Sequence, residues 1–121
     1  MNLKILEKKY QIVHCSEVPK ISQGSLFSLS ITADEISLVC EEETFISHTT
    51  KVEKGWKALK IEAVLDFNLV GILANISSTL AKESISIFAI STYNTDYILI
   101  KEEILSKACV ALEAAGHRIV S

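Results

Sequence analysis

The sequence predicts an α+β fold: a ferredoxin-like β-α-β-β-α-β domain over residues 56–121, preceded by a shorter, mostly β segment over residues 1–50. Apolar side chains alternate along residues 57–65, recur at helical spacing from Leu69, and then form short strand-like runs before a second helical stripe. Two further alternating runs lie before residue 45, with no helical period between them. This order of elements places both helices on one face of an antiparallel sheet.

Composition narrows the class of protein. The 121 residues are 49% apolar with one proline, so the chain should fold throughout. A net charge of −3 without a basic block argues against nucleic-acid binding. No apolar run reaches the length of a signal peptide or a membrane span, so we expect no membrane association. Cys15, Cys40 and Cys109 each sit in an apolar pattern, which indicates reduced core cysteines and a cytoplasmic location.

The N-terminal segment predicts short strands and a hairpin. Charged residues 7–9 separate two apolar pieces, and the second, Tyr10–Cys15, suits a strand. Residues 16–25 contain the single proline and predict a loop. Two alternating runs around Ala33-Asp34 then predict a hairpin. Residues 44–55 are polar and unpatterned, which favours a connection between the two halves.

The C-terminal segment supplies the helices. Residues 66–68 break the strand at 57–65 and offer helix caps, and a stripe from Leu69 to Leu80 predicts the first helix. Gly71 in its first turn indicates either close packing against the sheet or room for a ligand at the helix start. A second stripe predicts the last helix, with Gly116 at its C-terminal cap and a short strand after it. The second stripe consists of Leu105, Ala108, Leu112 and Ala115.

Between the helices lies a polar corner, Ser91–Asp96, flanked by two apolar runs. The first run, residues 85–90, has few polar positions and predicts a central strand or an interface strand. Residues 97–101 should be its antiparallel partner. The corner has more hydrogen-bonding side chains than a hairpin turn requires. It is therefore either a solvated loop or a small-molecule site.

A short sequence pattern recurs in the two halves of the chain. The run from Glu35 to Glu42 aligns with that from Asp96 to Glu103, since each has an acid, a strand and an acid pair. The first half would then be the same unit with its first helix reduced to the loop at residues 16–25 and its second helix mostly absent.

Residues 71–103, GILANISSTLAKESISIFAISTYNTDYILIKEE, resemble an ACT domain, and more closely the ACT-like modules of aspartate kinases, CASTOR-type arginine sensors and small bacterial ACT proteins. The resemblance is good over residues 56–120 and thinner before residue 45. It implies a tandem arrangement with a truncated ACT-like half first. It also implies a non-catalytic regulatory module that binds an amino acid, pairs as a homodimer and acts on a regulated protein partner.

Residues of the implied ligand site fall on the helix start and on the corner. An amino acid's carboxylate suits backbone N–H groups at the helix start, its ammonium suits Asp96, and the corner hydroxyls could orient it. The implied ligand-binding residues are Asp66, Phe67, Val70, Gly71, Ile72, Leu73, Ile90, Ser91, Thr92, Tyr93 and Asp96.

Other functions have weaker support in the sequence. His14, His48 and His117 are scattered, and neither a phosphate-binding loop nor a metal-ligand cluster is present, so we expect no catalysis, cofactor or metal. RNA-binding modules of this fold stack bases on aromatic residues of the central strands. Phe88 is the only aromatic residue in residues 85–90, which argues against RNA binding. The main alternative is a structural dimerisation module without a ligand, in which residues 85–90 form the seam.

Overall fold

The computed structural model describes residues 1–22, 24, 26–62 and 70–121, and it confirms the predicted α+β class. Within these residues no helix is long and apolar enough to cross a membrane. The elements are β1 (Asn2–Cys15), β2 (Leu26–Ile31), β3 (Ile36–Glu41), β4 (Thr49–Glu62), α1 (Ile72–Lys82), β5 (Phe88–Ser91), β6 (Asp96–Lys101), a 3₁₀ turn (Glu102–Ile104), α2 (Leu105–Ala114) and β7 (Arg118–Val120).

Two compact units make up the chain. The helical unit combines Met1–Glu7 with Lys57–Ser121, and the β unit is Lys8–Trp56. Strands β1 and β4 contribute residues to both units. The domain limits predicted from the sequence, 1–50 and 56–121, remain a prediction, and the structure adds that the first seven residues group with the helices.

Two strands contain polar stretches that lack a strand pattern, so the sequence predicted only part of each strand. Charged residues 7–9 do not split the N-terminal strand, because their side chains are exposed and the strand continues through them. Residues 49–55 are not a connection either, since they form the first half of β4. Thr49–Lys54 are all exposed, so this part of the strand has no buried face and no alternating pattern.

In the helical unit the strands follow the order β5-β6-β4-β1, and β7 pairs in parallel with β1 from Asn2 to Lys4. The prediction of a central strand at residues 85–90 is wrong. The strand begins at Phe88, and β5 ends the strand order of the described residues with β6 as its neighbour. Ile85 and Ile87 instead pack into the core before the strand begins, which explains the apolar run.

The core of the helical unit lies between its sheet and its helices. Ile76 and Leu80 of α1, and Ala108 and Leu112 of α2, are fully buried as the predicted stripes require. Ala115 is exposed, contrary to prediction, because α2 ends at Ala114. The sheet contributes the buried side chains of Leu3, Leu59, Ile61, Ile98 and Ile100.

The β unit has its own core and the strand order β2-β3-β1-β4. Its buried cluster consists of Val13, Cys15, Leu38, Cys40 and Ile46. Gln11 is 3% exposed and donates its side-chain amide to the Thr44 carbonyl at 2.8 Å, which satisfies a polar group inside the unit. All three cysteines are free, and burial raises the pKa of each thiol, although Cys109 is only half-buried.

Two hairpins share the same loop geometry. Ile31 pairs with Ile36 in one and Ser91 with Asp96 in the other, so each loop has four residues. Strands β3 and β6 also share one burial pattern, with three consecutive buried residues after two half-buried ones. The hairpins therefore correspond at a spacing of 60 residues, from Ile36 to Asp96. The predicted alignment of Glu35 with Asp96 is wrong by one residue, which would exchange the two faces of the strand.

Candidate functional site

The polar corner is a hairpin loop closed by its own threonines. Thr92 N–H donates to the Thr95 carbonyl at 2.9 Å, and the Thr92 hydroxyl donates to the same oxygen at 2.9 Å. The Thr95 hydroxyl donates to the Ile61 carbonyl at 2.6 Å and thereby ties the loop to β4. Sequence reasoning omitted Thr95, although a threonine at the end of a polar turn is a common hydrogen-bonding turn residue. Part of the corner's polar content therefore stabilises the loop.

The remaining corner residues divide between the two faces of the sheet. Successive side chains alternate along a strand, and directly paired residues share a face. Ser91 and Asp96 are paired, and Asp96 lies on the same face as Ile98, which packs in the core with the helices. Ile90 pairs with Tyr97 on the opposite face and is 8% exposed. Tyr93 is 99% exposed at the loop tip.

The start of α1 is open. Gly71 is its N-cap residue with φ of 87°, and no side chain caps the helix among the described residues. A Cβ built on Gly71 would meet no described atom within 4 Å, so packing against the described residues does not require a glycine here. The left-handed backbone does, since it disfavours any side chain. Val70 is 89% exposed, while Ile72 and Leu73 are half-buried and pack at the edge of the core.

A gap in the described chain, residues 63–69, lies between the end of β4 and the helix start. Asp66 and Phe67 fall outside the described residues, which resume at Val70. The Thr95 hydrogen bond places the corner beside the end of β4, from which the chain continues towards α1. Within residues 70–121 no hydrogen bond joins Asp96 to Val70–Leu73.

One contact near the helix start was not predicted. His117 places its Nε2 2.8 Å from the Asn75 side-chain oxygen on α1. This geometry requires Nε2–H to donate, and the buried Nδ1 has no hydrogen-bond partner among the described residues. Burial lowers the pKa of His117, and the positive amino terminus lowers that pKa further.

The other histidines do not form a catalytic arrangement. His14 hydrogen-bonds the Thr50 hydroxyl, and His48 lies 3.6 Å from the Glu17 carboxylate on the surface. In the part of the chain that the structure describes, no group of three His, Cys, Asp or Glu residues could hold a metal ion.

Comparison with known proteins identifies the family to which this chain is similar. The profile of the ACT domain family matches residues 51–114. The cytosolic arginine sensor for mTORC1 subunit 1 of Homo sapiens is 29% identical over 99 residues, covering 74% of this chain and 30% of the sensor. The chain thus spans less than a third of this relative's length.

Solved structures share the fold. A crystal structure from Agrobacterium tumefaciens has a TM-score of 0.87 and 31% identity, covering 98% of this chain and 91% of that one. The aspartate kinase of Clostridium acetobutylicum, an allosteric enzyme for amino acid production, has a TM-score of 0.68 at 14% identity, covering 93% of this chain and 34% of the kinase. The family profile covers more than half of the sequence, and the observed fold agrees with it: the chain belongs to the ACT domain family.

Proposed function

We propose that this chain is a non-catalytic regulatory module that binds an amino acid between the start of α1 and the polar corner. The observation that carries the proposal is the exposed helix start at Gly71, which no described side chain caps. The first turn of a helix has backbone N–H groups without intrahelical partners, and these groups attract a carboxylate. Residues 63–69, which include the implied ligand residues Asp66 and Phe67, would complete the site.

Asp96 is the group that would receive the ammonium. It is half-buried and lies on the sheet face that carries the helices, as does its partner Ser91. The Ser91 hydroxyl would orient the ligand. The Thr92 hydroxyl is engaged with Thr95, so in this proposal Thr92 maintains the loop. Ile90 faces the opposite side of the sheet and would support the strand.

Relatives support this class of function. One relative is by name a cytosolic arginine sensor, and the aspartate kinase with the same fold is an allosteric enzyme. By analogy with these relatives, we propose that this chain binds an amino acid, is cytoplasmic and acts on a regulated protein partner. The truncated-repeat arrangement is also part of the proposal, and it is supported by the matching geometry of the two hairpins.

We propose a homodimer as the working form. Strand β5 has only β6 as a neighbour in the described residues, and such an edge can pair with a second strand. A dimer without a ligand is the competing function. In the run that favoured it, residues 85–90, Ile85 and Ile90 are already buried within one chain, while Ile87 and Phe88 are half-buried. Light scattering after gel filtration tests the assembly, and we expect a dimer.

A thermal-shift screen against the common amino acids tests the ligand. A ligand that binds only the folded state raises the melting temperature, and one or more amino acids should do so. Asp96→Asn should remove most of that shift. Asp34→Asn is the matched control, because Asp34 lies in the corresponding four-residue loop of the β unit. A flat response from the whole panel at saturating concentrations would favour the structural dimer.

A further inference from the structure

The hairpin of the β unit lacks the polar pair that the second hairpin contributes to the proposed amino acid site. Ser91 pairs with Asp96 in the second hairpin. The corresponding pair in the first hairpin is Ile31 and Ile36, and neither side chain offers a hydrogen bond or a charge. Ile31 is 59% exposed, and Ile36 packs against the buried cluster of the β unit. The first hairpin thus has an exposed apolar surface where the second has polar groups.

The backbone of β2 has hydrogen-bonding groups that face away from the sheet. Thr32 N–H donates to the Glu35 carbonyl at 2.9 Å, which makes these two residues a hydrogen-bonded pair. Such pairs alternate along an antiparallel ladder, so Ser30 bonds to β3 while the N–H and C=O groups of Leu29 and Ile31 point outward. Among the described residues β3 is the only neighbour of β2, so this outer edge is open to a further strand.

Side chains along the same edge are uncharged. Leu26–Ile31 contains neither a charged residue nor a proline, with which edge strands commonly prevent pairing. A bulge between Leu26 and Ser28 leaves the register regular from Ser28 to Ile31. Leu29 and Ile31 are 40% and 59% exposed, and they lie on one face because they are two residues apart in a strand. The residues with outward backbone groups are therefore also those with exposed apolar side chains.

Strand β5, at the other end of the strand order, differs at the corresponding positions. Ala89 and Ser91 follow Leu29 and Ile31 at the spacing of the two hairpins. Their backbone groups also point outward, since the second hairpin is closed by the same hydrogen bond as the first. Alanine and serine have less apolar surface to bury than leucine and isoleucine. Of these two edges, β2 therefore offers the more favourable apolar contact.

The charges of the hairpin favour a second copy of this chain as the occupant. A strand without charge is compatible with a copy of itself, because no like charges face each other across the pair. The loop after β2 contains two acids, Asp34 and Glu35. A two-fold axis makes the two β2 strands antiparallel and places the loops at opposite ends, which keeps the acids of the two copies apart.

We propose that two copies of this chain pair through β2 and join their β units into one sheet. With the two-fold axis at Ser30, Leu29 of each copy lies opposite Ile31 of the other, and their outward N–H and C=O groups form hydrogen bonds. This inference rests on the homodimer of the proposed function and assigns its seam to β2, the more apolar of the two edges.

Sedimentation equilibrium of the full chain over a range of concentrations measures the dimer dissociation constant. Ile31→Lys should raise this constant about tenfold, because it brings an ammonium group from each copy to the seam. Ala89→Lys is the control, since it places the same charge on the exposed outer edge of β5, and it should leave the constant unchanged. Circular dichroism at a concentration where each protein is monomeric verifies that both variants are folded.

Amide hydrogen exchange of the ¹⁵N-labelled chain, followed by NMR, locates the seam without a substitution. The amides of Leu29 and Ile31 should gain protection as the concentration rises and the dimer forms. The amide of Ser30, which bonds to β3 within one chain, should be protected at every concentration. Those of Ala89 and Ser91 should exchange at the same rate in monomer and dimer.

Three results would overturn the seam at β2. The first is a dimer whose dissociation constant is unchanged by Ile31→Lys, with no added protection at Leu29. The second is weakening by Ala89→Lys alone, which would place the seam at β5 and leave the proposed homodimer intact. The third is a chain that stays monomeric at every concentration, which would contradict the homodimer as well. The thermal-shift screen tests the amino acid ligand independently of all three.

Discussion

The Thr95 hydroxyl lies 2.6 Å from the carbonyl oxygen of Ile61 and donates a hydrogen bond to it. This bond joins the tip of the second hairpin to the end of β4, 34 residues earlier in the sequence. It therefore fixes the position of Asp96, the next residue, relative to the end of β4. The position of the Asp96 carboxylate, which is proposed to bind the ligand, thus depends on Thr95, a residue with no proposed ligand contact.

Thr95→Val should lower the free energy of unfolding by about 1 kcal/mol, because it removes the hydrogen bond from the Thr95 hydroxyl to the Ile61 carbonyl. Urea denaturation measures this loss. Thr95→Ser keeps the hydroxyl and should recover most of the stability. If the valine variant were as stable as the wild type, the hydrogen bond would not anchor the corner.

Gly71→Ala should also destabilise the chain, by about 1 kcal/mol, because φ of 87° is unfavourable for alanine. No clash contributes, since the added Cβ meets no described atom within 4 Å. Gly71→Asn is the comparison, because asparagine tolerates a left-handed backbone better than alanine does, and it should lose less stability. Equal stability of the two variants in urea would contradict a strained helix start.

His117 should make stability depend on pH. Its folded pKa lies below the ordinary value of 6.5, so the unfolded chain binds the proton first as the pH falls. The contribution of this residue is fully present above pH 6.5 and is lost as the pH falls through the lower, folded pKa.

His117→Gln isolates this contribution, because the glutamine amide can still donate to Asn75 and does not titrate. Urea denaturation at several pH values between 7.5 and 5 should show a smaller loss of stability for the variant than for the wild type. Identical slopes in the two proteins would exclude His117 as the source.

Gln11→Leu should destabilise the β unit by about 2 kcal/mol. The substitution leaves the Thr44 carbonyl without its 2.8 Å donor and the Glu41 carbonyl without a weaker one at 3.3 Å. Thermal unfolding followed by circular dichroism measures the effect. A gain in stability would show that apolar packing at this buried position outweighs the two hydrogen bonds.

Local signals predicted the parts of the fold that have one buried face. The stripe that contains Ile76 and Leu80 identified α1, and alternation around Ala33-Asp34 identified the first hairpin. Where both faces of a strand are exposed, as at Thr49–Lys54, apolar and polar residues do not alternate. This part of β4 was therefore not predicted. The pattern that recurs in the two halves was recognised from the sequence. Its alignment was decided by the hydrogen-bond register of the two hairpins, which the sequence does not show.

By itself, the sequence determined the fold class, the family resemblance and the residue types available for an amino acid ligand. These follow from periodicity and composition, which act locally along the chain. Only the tertiary structure decided that Ser91 and Asp96 share a face with the helices and that Ile90 faces the other way. Each of these depends on which strands pair and where pairing ends, and such contacts join residues far apart in the sequence.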